Sequence, residues 1–189
     1  MRIFSIEQPN EDPSADRLNR IAARLKRGDA SAGEETFRYF SPLLYRFFAS
    51  RTGNRALSED LTQDAFIKIV GKIDTFDETK GNFPGWVWQI ARNTLIDHYR
   101  EKKEISFADA GEGIEHIATH DAVDEQLRVK AIMSAVARLS EEDQELFSLR
   151  FVSDVSYREI SQLTGKSETA LRVALHRINK KVKDIVREV

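Results

Sequence analysis

The 189-residue chain has no cysteine. Disulfides, thiolate metal sites and cysteine nucleophiles are therefore excluded outright. It has four prolines and nine glycines, too few for a proline-rich or glycine-rich low-complexity chain. No apolar run approaches the roughly 18 residues a membrane helix needs, and the opening MRIFSIEQPNEDPS turns acidic where a signal peptide would carry its apolar stretch. A cytoplasmic protein with no membrane insertion is expected. No phosphate-cradling glycine loop or nucleophile motif is present, so an enzyme is not expected. The one candidate metal pair, His116 and His120 beside Glu115 and Asp121, lies in a glycine-containing stretch with no helix to fix it. Neither metal nor cofactor is expected.

What is present is 41% hydrophobic and 32% charged residues, enough apolar material for compact cores. The net charge of −2 hides a strong segregation. Glu104 to Glu125 holds seven acids and no base, whereas Ser156 to Val189 holds eight bases against four acids. Blocks of opposite sign along one chain point to separate electrostatic tasks.

Apolar residues recur at helical spacing almost throughout, and no alternating strand pattern stands out. The expected fold is all-α, with helices over about 14–27, 32–52, 58–73, 84–102, 122–139, 141–150, 156–163 and 167–187. Ser31 with Glu34 and Ser156 with Glu159 fit the capping box, and Ser58, Ser140 and Ser167 are further N-cap candidates. The stretch 104–121 carries two glycines and no helical stripe, which predicts a flexible acidic linker. It divides the chain into two small helical domains, 14–103 and 122–189.

The sharpest local pattern is SYREISQLTGKSETALRVALHRINKKVKDIV. A short helix from Ser156, a turn in which Gly165 supplies the left-handed conformation, and a second helix capped by Ser167 give a helix-turn-helix. On the second helix Leu171, Ala174, Leu175, Ile178 and Val182 share the packing arc. Thr169, Arg172, Val173, His176, Arg177, Lys180 and Lys183 share the other, which has no acid. An ordinary helical hairpin with a solvated basic side is the competing reading. Turn, cap and charge segregation together favour a face for the DNA major groove, where Arg reads guanine edges and Lys neutralises phosphate.

The second distinctive pattern is DTFDETKGNFPGWVWQIARNTLIDHYREKK. On its helix Trp86, Val87, Ile90, Ala91, Thr94 and Leu95 face inward, while Gln89, Arg92, Asn93, Asp97 and Arg100 face outward with Ile96 among them. The preceding loop, with Phe76, Lys80, Gly81, Asn82 and Phe83, has the residue types that hold an unstacked base by stacking and edge hydrogen bonds.

The runs SEDLTQDAFIKIVGKIDTFD and FPGWVWQIARNTLIDHYR, the acidic linker and the terminal helix-turn-helix together resemble the extracytoplasmic-function (ECF) group of bacterial sigma factors. The resemblance spans about residues 20–187. It implies a non-enzymatic subunit that binds core RNA polymerase and promoter DNA, acts as a single copy and answers to an anti-sigma factor. It assigns Asp60, Gln63, Asp64, Phe66 and Lys68 to docking on the polymerase coiled coil; by residue type Leu61, Ala65 and Val70 read as ordinary core, which leaves only the polar arc for docking. Asn82, Phe83, Trp86, Trp88, Arg92, Asn93, Asp97 and Arg100 fall to the −10 element. Ser167, Glu168, Thr169, Arg172, Val173, His176, Arg177 and Lys180 fall to the −35 element. Ala170, Val173 and Ala174 depart from the group's usual Thr, Ser and Arg. The alternative is a helix-turn-helix regulator that works without polymerase, a class that usually binds palindromes as a dimer.

Overall fold

The computed structural model describes residues 15–105 and 123–187. Among these residues every regular element is helical. The N-terminal unit contains α1 (Ala15–Lys26), α2 (Ala30–Thr52), α3 (Arg55–Gly71), a 3-10 turn (Ile73–Thr75) and α4 (Phe83–Ile105). The C-terminal unit contains α5 (Val123–Ala137), α6 (Glu141–Phe147) running into a π turn (Ser148–Val152), α7 (Tyr157–Thr164) and α8 (Glu168–Arg187). The candidate metal pair and residues 106–121 of the expected linker lie outside the described residues.

Helix starts follow local chemistry, though not always at the expected residue. Ser140 and Ser156 cap α6 and α7, the latter through a reciprocal capping box with Glu159. Ser167 Oγ accepts the Ala170 amide, 3.2 Å away, at the head of α8. The cap of α2 is Asp29 rather than Ser31, because its carboxylate lies one residue before the helix and accepts the Ser31 and Ala32 amides. Asn54 rather than Ser58 caps α3, and Ser58 is buried inside the helix with its hydroxyl on the Asn54 carbonyl. Gly165 adopts φ +71°, a left-handed turn that glycine enters without steric penalty and that ends α7.

The N-terminal core is aromatic. Phe40, Phe47, Phe48, Phe83 and Trp88 are fully or almost fully buried, with Phe40–Phe83 and Phe47–Trp88 meeting edge to face at 5.8 and 5.7 Å. Each such ring removes roughly 150–250 Å² from water, so these few side chains dominate the unit's stability. In the C-terminal unit Leu146, Leu149, Ile160, Leu171, Leu175 and Ile178 are buried, and the expected packing arc of α8 is the observed one.

The two cores are continuous. The π turn packs on α2, where Ser50 Oγ donates to Ser148 Oγ at 2.8 Å and Ser153 Oγ to the Leu43 carbonyl at 3.3 Å. Helix α7 packs on α4. At Gly85 a Cβ would stand 2.9 Å from both Gln162 Oε1 and Asn82 Oδ1.

Candidate nucleic-acid interface

The outward arc of α8 emerges as a continuous exposed surface bearing Thr169, Arg172, Val173, His176, Arg177, Lys180 and Lys183. Val173, an apolar side chain, is 68% exposed in the middle of it. The arginines are oriented from within the protein. The Arg172 guanidinium sits 4.5 Å from the centre of the Tyr157 ring, and Arg150 sits 5.0 Å from the same ring. Arg172 also lies 3.8 Å from Glu168, one helical turn back. Arg177 reaches the nearly buried Asp143 of α6 at 3.4 Å, and Lys181 reaches the same carboxylate at 3.7 Å. Lys166, in the turn before α8, pairs with Glu142 at 2.8 Å and, by hydrogen bonding to it, holds that carboxyl below its usual range.

Tyr157 was not a site residue on sequence grounds, because only the crossing of α7 and α8 brings its ring under Arg172. An aromatic residue directly after a helix cap was the available signal.

At the start of α4 and along it the expected −10 residues differ in exposure and partners. Phe83 and Trp88 are core, at 0% and 2% exposure, and cannot stack on a base in this conformation. Trp88, given to the −10 element by the family resemblance, instead packs against Phe47 of α2. Trp86 is half-buried and stacks on Phe83 at 5.9 Å. Asn82 serves as the helix cap, its Oδ1 accepting the Gly85 amide at 2.8 Å. Asn93 and Arg100 are exposed, with Gln89 donating to Asn93 Oδ1 at 3.0 Å and Arg100 lying 3.5 Å from Asp97. Arg92 is turned across the molecule. Its Nε and Nη2 donate to the two carboxylate oxygens of Glu145 on α6, at 2.6 and 3.3 Å.

On α3, Asp60, Gln63 and Asp64 are exposed together. Phe66 is instead buried at 9%, its ring 4.8 Å from that of Phe37, and Lys68 bends towards α4, donating to Thr94 and lying 3.7 Å from Asp97. The expected core residue Val70 is 54% exposed, with Ile67 beside it at 70% and Phe37 on α2 at 54%. The face is thus an acidic edge next to an apolar strip. The apolar half was missed because Val70 read as core, whereas among the described residues no helix covers it, Ile67 or Phe37.

The description "Sigma-70 region 2" fits residues 36–105, which hold α3 and α4, and "Sigma-70, region 4" fits residues 130–182, which hold the helix-turn-helix. The ECF RNA polymerase sigma factor BldN of Streptomyces coelicolor is 30% identical over 174 residues, covering 90% of this chain and 66% of that protein. ECF sigma factor SigM of Bacillus subtilis is 27% identical, covering 79% of this chain and 92% of that protein. The chain belongs to the ECF sigma factors.

The fold of this sigma factor is shared with solved members. RpoE of Bartonella quintana, determined with the anti-sigma factor NepR, superposes with a TM-score of 0.68 at 23% identity, over 82% of this chain and 96% of that one. CnrH, determined with the cytosolic domain of CnrY, gives the same TM-score at 21% identity, over 93% and 99%. In this sigma factor, region 2 and region 4 are joined by the Arg92–Glu145 ion pair and by a 2.8 Å hydrogen bond from Arg51 Nη1 to Gln144 Oε1. No described helix is long and apolar enough to cross a membrane.

Proposed function

We propose that this sigma factor docks on core RNA polymerase in the cytoplasm through α3, reads the −35 element with α8, and captures opened −10 bases with the start and outward arc of α4. The observation that carries the reading is the presence, in order on one chain, of region 2 and region 4, the second ending in a base-rich helix face that no element covers among the described residues. The docking surface is the acidic edge of Asp60, Gln63 and Asp64 with Ile67 and Val70 alongside, an apolar centre with a charged rim of the kind protein partners bury.

Reading two elements with one chain makes the second contact intramolecular. Each element can then be bound weakly and still be selected jointly. Strand opening follows from holding unstacked bases, since the binding energy offsets an unpairing cost of a few kcal/mol. Phe83 and Trp88 support this face from behind. They fix the start of α4, while Asn82, Trp86, Asn93 and Arg100 carry the contact.

Control by an anti-sigma factor is part of the proposal, supported by the complexes of RpoE with NepR and of CnrH with CnrY. The test is reconstitution. Core polymerase mixed with the purified protein should transcribe from specific sites in genomic DNA, and neither component alone should do so. Specific binding of duplex palindromes by the isolated protein, with no binding to core at micromolar concentration, would establish the polymerase-independent regulator instead.

A further inference from the structure

Arg92 belongs to the arc of α4 assigned above to the −10 strand, yet its guanidinium is already occupied. Nε and Nη2 donate in parallel to the two oxygens of Glu145, a bidentate geometry of the kind an arginine also offers to a base edge or a phosphate. The Arg92 and Glu145 side chains are 30% and 18% exposed, so water screens the pair only in part. Among the described residues it is the ion pair that joins the two units.

The other end of the same face is covered as well. Helix α7 approaches Asn82 and Gly85 so closely that a Cβ on Gly85 would meet Gln162. Region 4 thus lies over both the loop that starts α4 and the arginine about three turns further along.

The side-chain hydrogen bonds that accompany this pair across the boundary all end on neutral acceptors: Ser50 on Ser148, Arg51 on Gln144, and Ser153 on the Leu43 carbonyl. Two arginines on the α2 side are imperfectly satisfied. The Nε atoms of Arg46 and Arg51 are buried without a hydrogen-bond partner, and burial lowers the Arg46 pKa. Unpaired buried donors oppose closure, so the units are held by the apolar contact between their cores and, among charged contacts within ion-pair distance, by the Arg92–Glu145 pair.

We propose that Glu145 is an internal competitor for the −10 face: its carboxylate holds Arg92 in a closed conformation of the free protein, and this contact must break before α4 can take a DNA strand. The inference rests on the proposed role of α4. It identifies a residue in region 4 that controls access to region 2, and it predicts that the free protein binds an opened strand more weakly than its α4 surface permits.

The chain lacks cysteine, so Glu78→Cys and Asp184→Cys introduce a unique pair of exposed label sites, one in each unit, for distance measurement in the full-length protein. Glu145→Gln removes the charge while keeping the shape. It should lower the closed-to-open ratio about 10- to 100-fold, the factor that corresponds to losing one hydrogen-bonded charge. The label-distance distribution then lengthens. Affinity for the non-template −10 strand of a promoter found by reconstitution rises in proportion to the open population gained. The exchanged pair Arg92→Glu with Glu145→Arg should restore the short distances and abolish strand binding.

The inference is overturned if Glu145→Gln and Glu145→Arg leave the distances at the wild-type values. It is equally overturned if the units separate with no gain in strand affinity. Failure of the wild-type protein to direct transcription with core would refute the proposed function, and the distances would still decide whether Glu145 holds the units closed.

Discussion

The Tyr157 ring makes a quantitative prediction about how region 4 reads DNA. Arg172 lies 4.5 Å from the ring centre with its side chain 63% exposed, so the cation–π attraction falls at the exposed end of the scale, about 0.5–1 kcal/mol. That energy also restricts a side chain which otherwise loses about 2 kcal/mol of rotamer freedom when it binds. Tyr157→Leu keeps an apolar side chain against the core and removes the π face. It should weaken binding of a −35 duplex by the polymerase holoenzyme about 2- to 5-fold, the same 0.5–1 kcal/mol expressed as affinity. Tyr157→Phe keeps the face and should stay close to wild type.

The assay is fluorescence anisotropy at fixed salt, run as a double-mutant cycle with Arg172→Ala. If the ring acts through Arg172, Tyr157→Leu should cost little once Arg172 is gone. The remaining effect belongs to Arg150, which shares the ring at 5.0 Å, and Arg150→Ala in the same cycle measures it. Equal losses with and without Arg172 would refute the argument and make Tyr157 a packing residue. An equal loss in Tyr157→Phe would move the effect to the hydroxyl.

Three further outcomes are expected. Asn82→Ala should remove both a helix cap, about 1 kcal/mol of stability, and the amide proposed to read a base. Asn82→Ser keeps the cap, so permanganate reactivity of −10 thymines should fall in both variants while thermal stability falls mainly in the first. Asp29 is held at about 2 by its hydrogen bonds to Ser31 and then to Arg24. A carboxyl depressed below its unfolded value stabilises the fold above that value, and the contribution disappears as pH falls from about 4 through 2. Asp29→Asn should therefore flatten the melting-temperature profile over that window; an unchanged acid slope would contradict the assignment. Lys180→Ala, on the exposed arc of α8, should weaken binding to all sequences alike and reduce the salt slope by about 0.9, whereas sequence-selective loss would make it a base reader.

Much of this architecture was legible in the residues. Helical periodicity and cap chemistry located the helices, with Ser140, Ser156 and Gly165 ending or starting them where expected. The buried and exposed arcs of α8 followed from spacing alone, because α5, α6 and α7 all pack on its one apolar arc and leave the other outside. Caps were misread where two candidates competed. Asp29 and Asn54 took the positions offered to Ser31 and Ser58, since a cap is decided by which side chain stands just outside the first turn.

Local pattern determined the helix-turn-helix, the order of the two regions and the chemistry of their polar faces, because those properties depend on residues within a few turns of one another. Tertiary packing alone decided which of those residues are available. It put Phe83 and Trp88 into the core, left Ile67 and Val70 bare, set Tyr157 beneath Arg172, and turned Arg92 towards Glu145, 53 residues away in the chain. Each outcome depends on where a second or third element lies, and the period of a single helix carries no information about what stands opposite it.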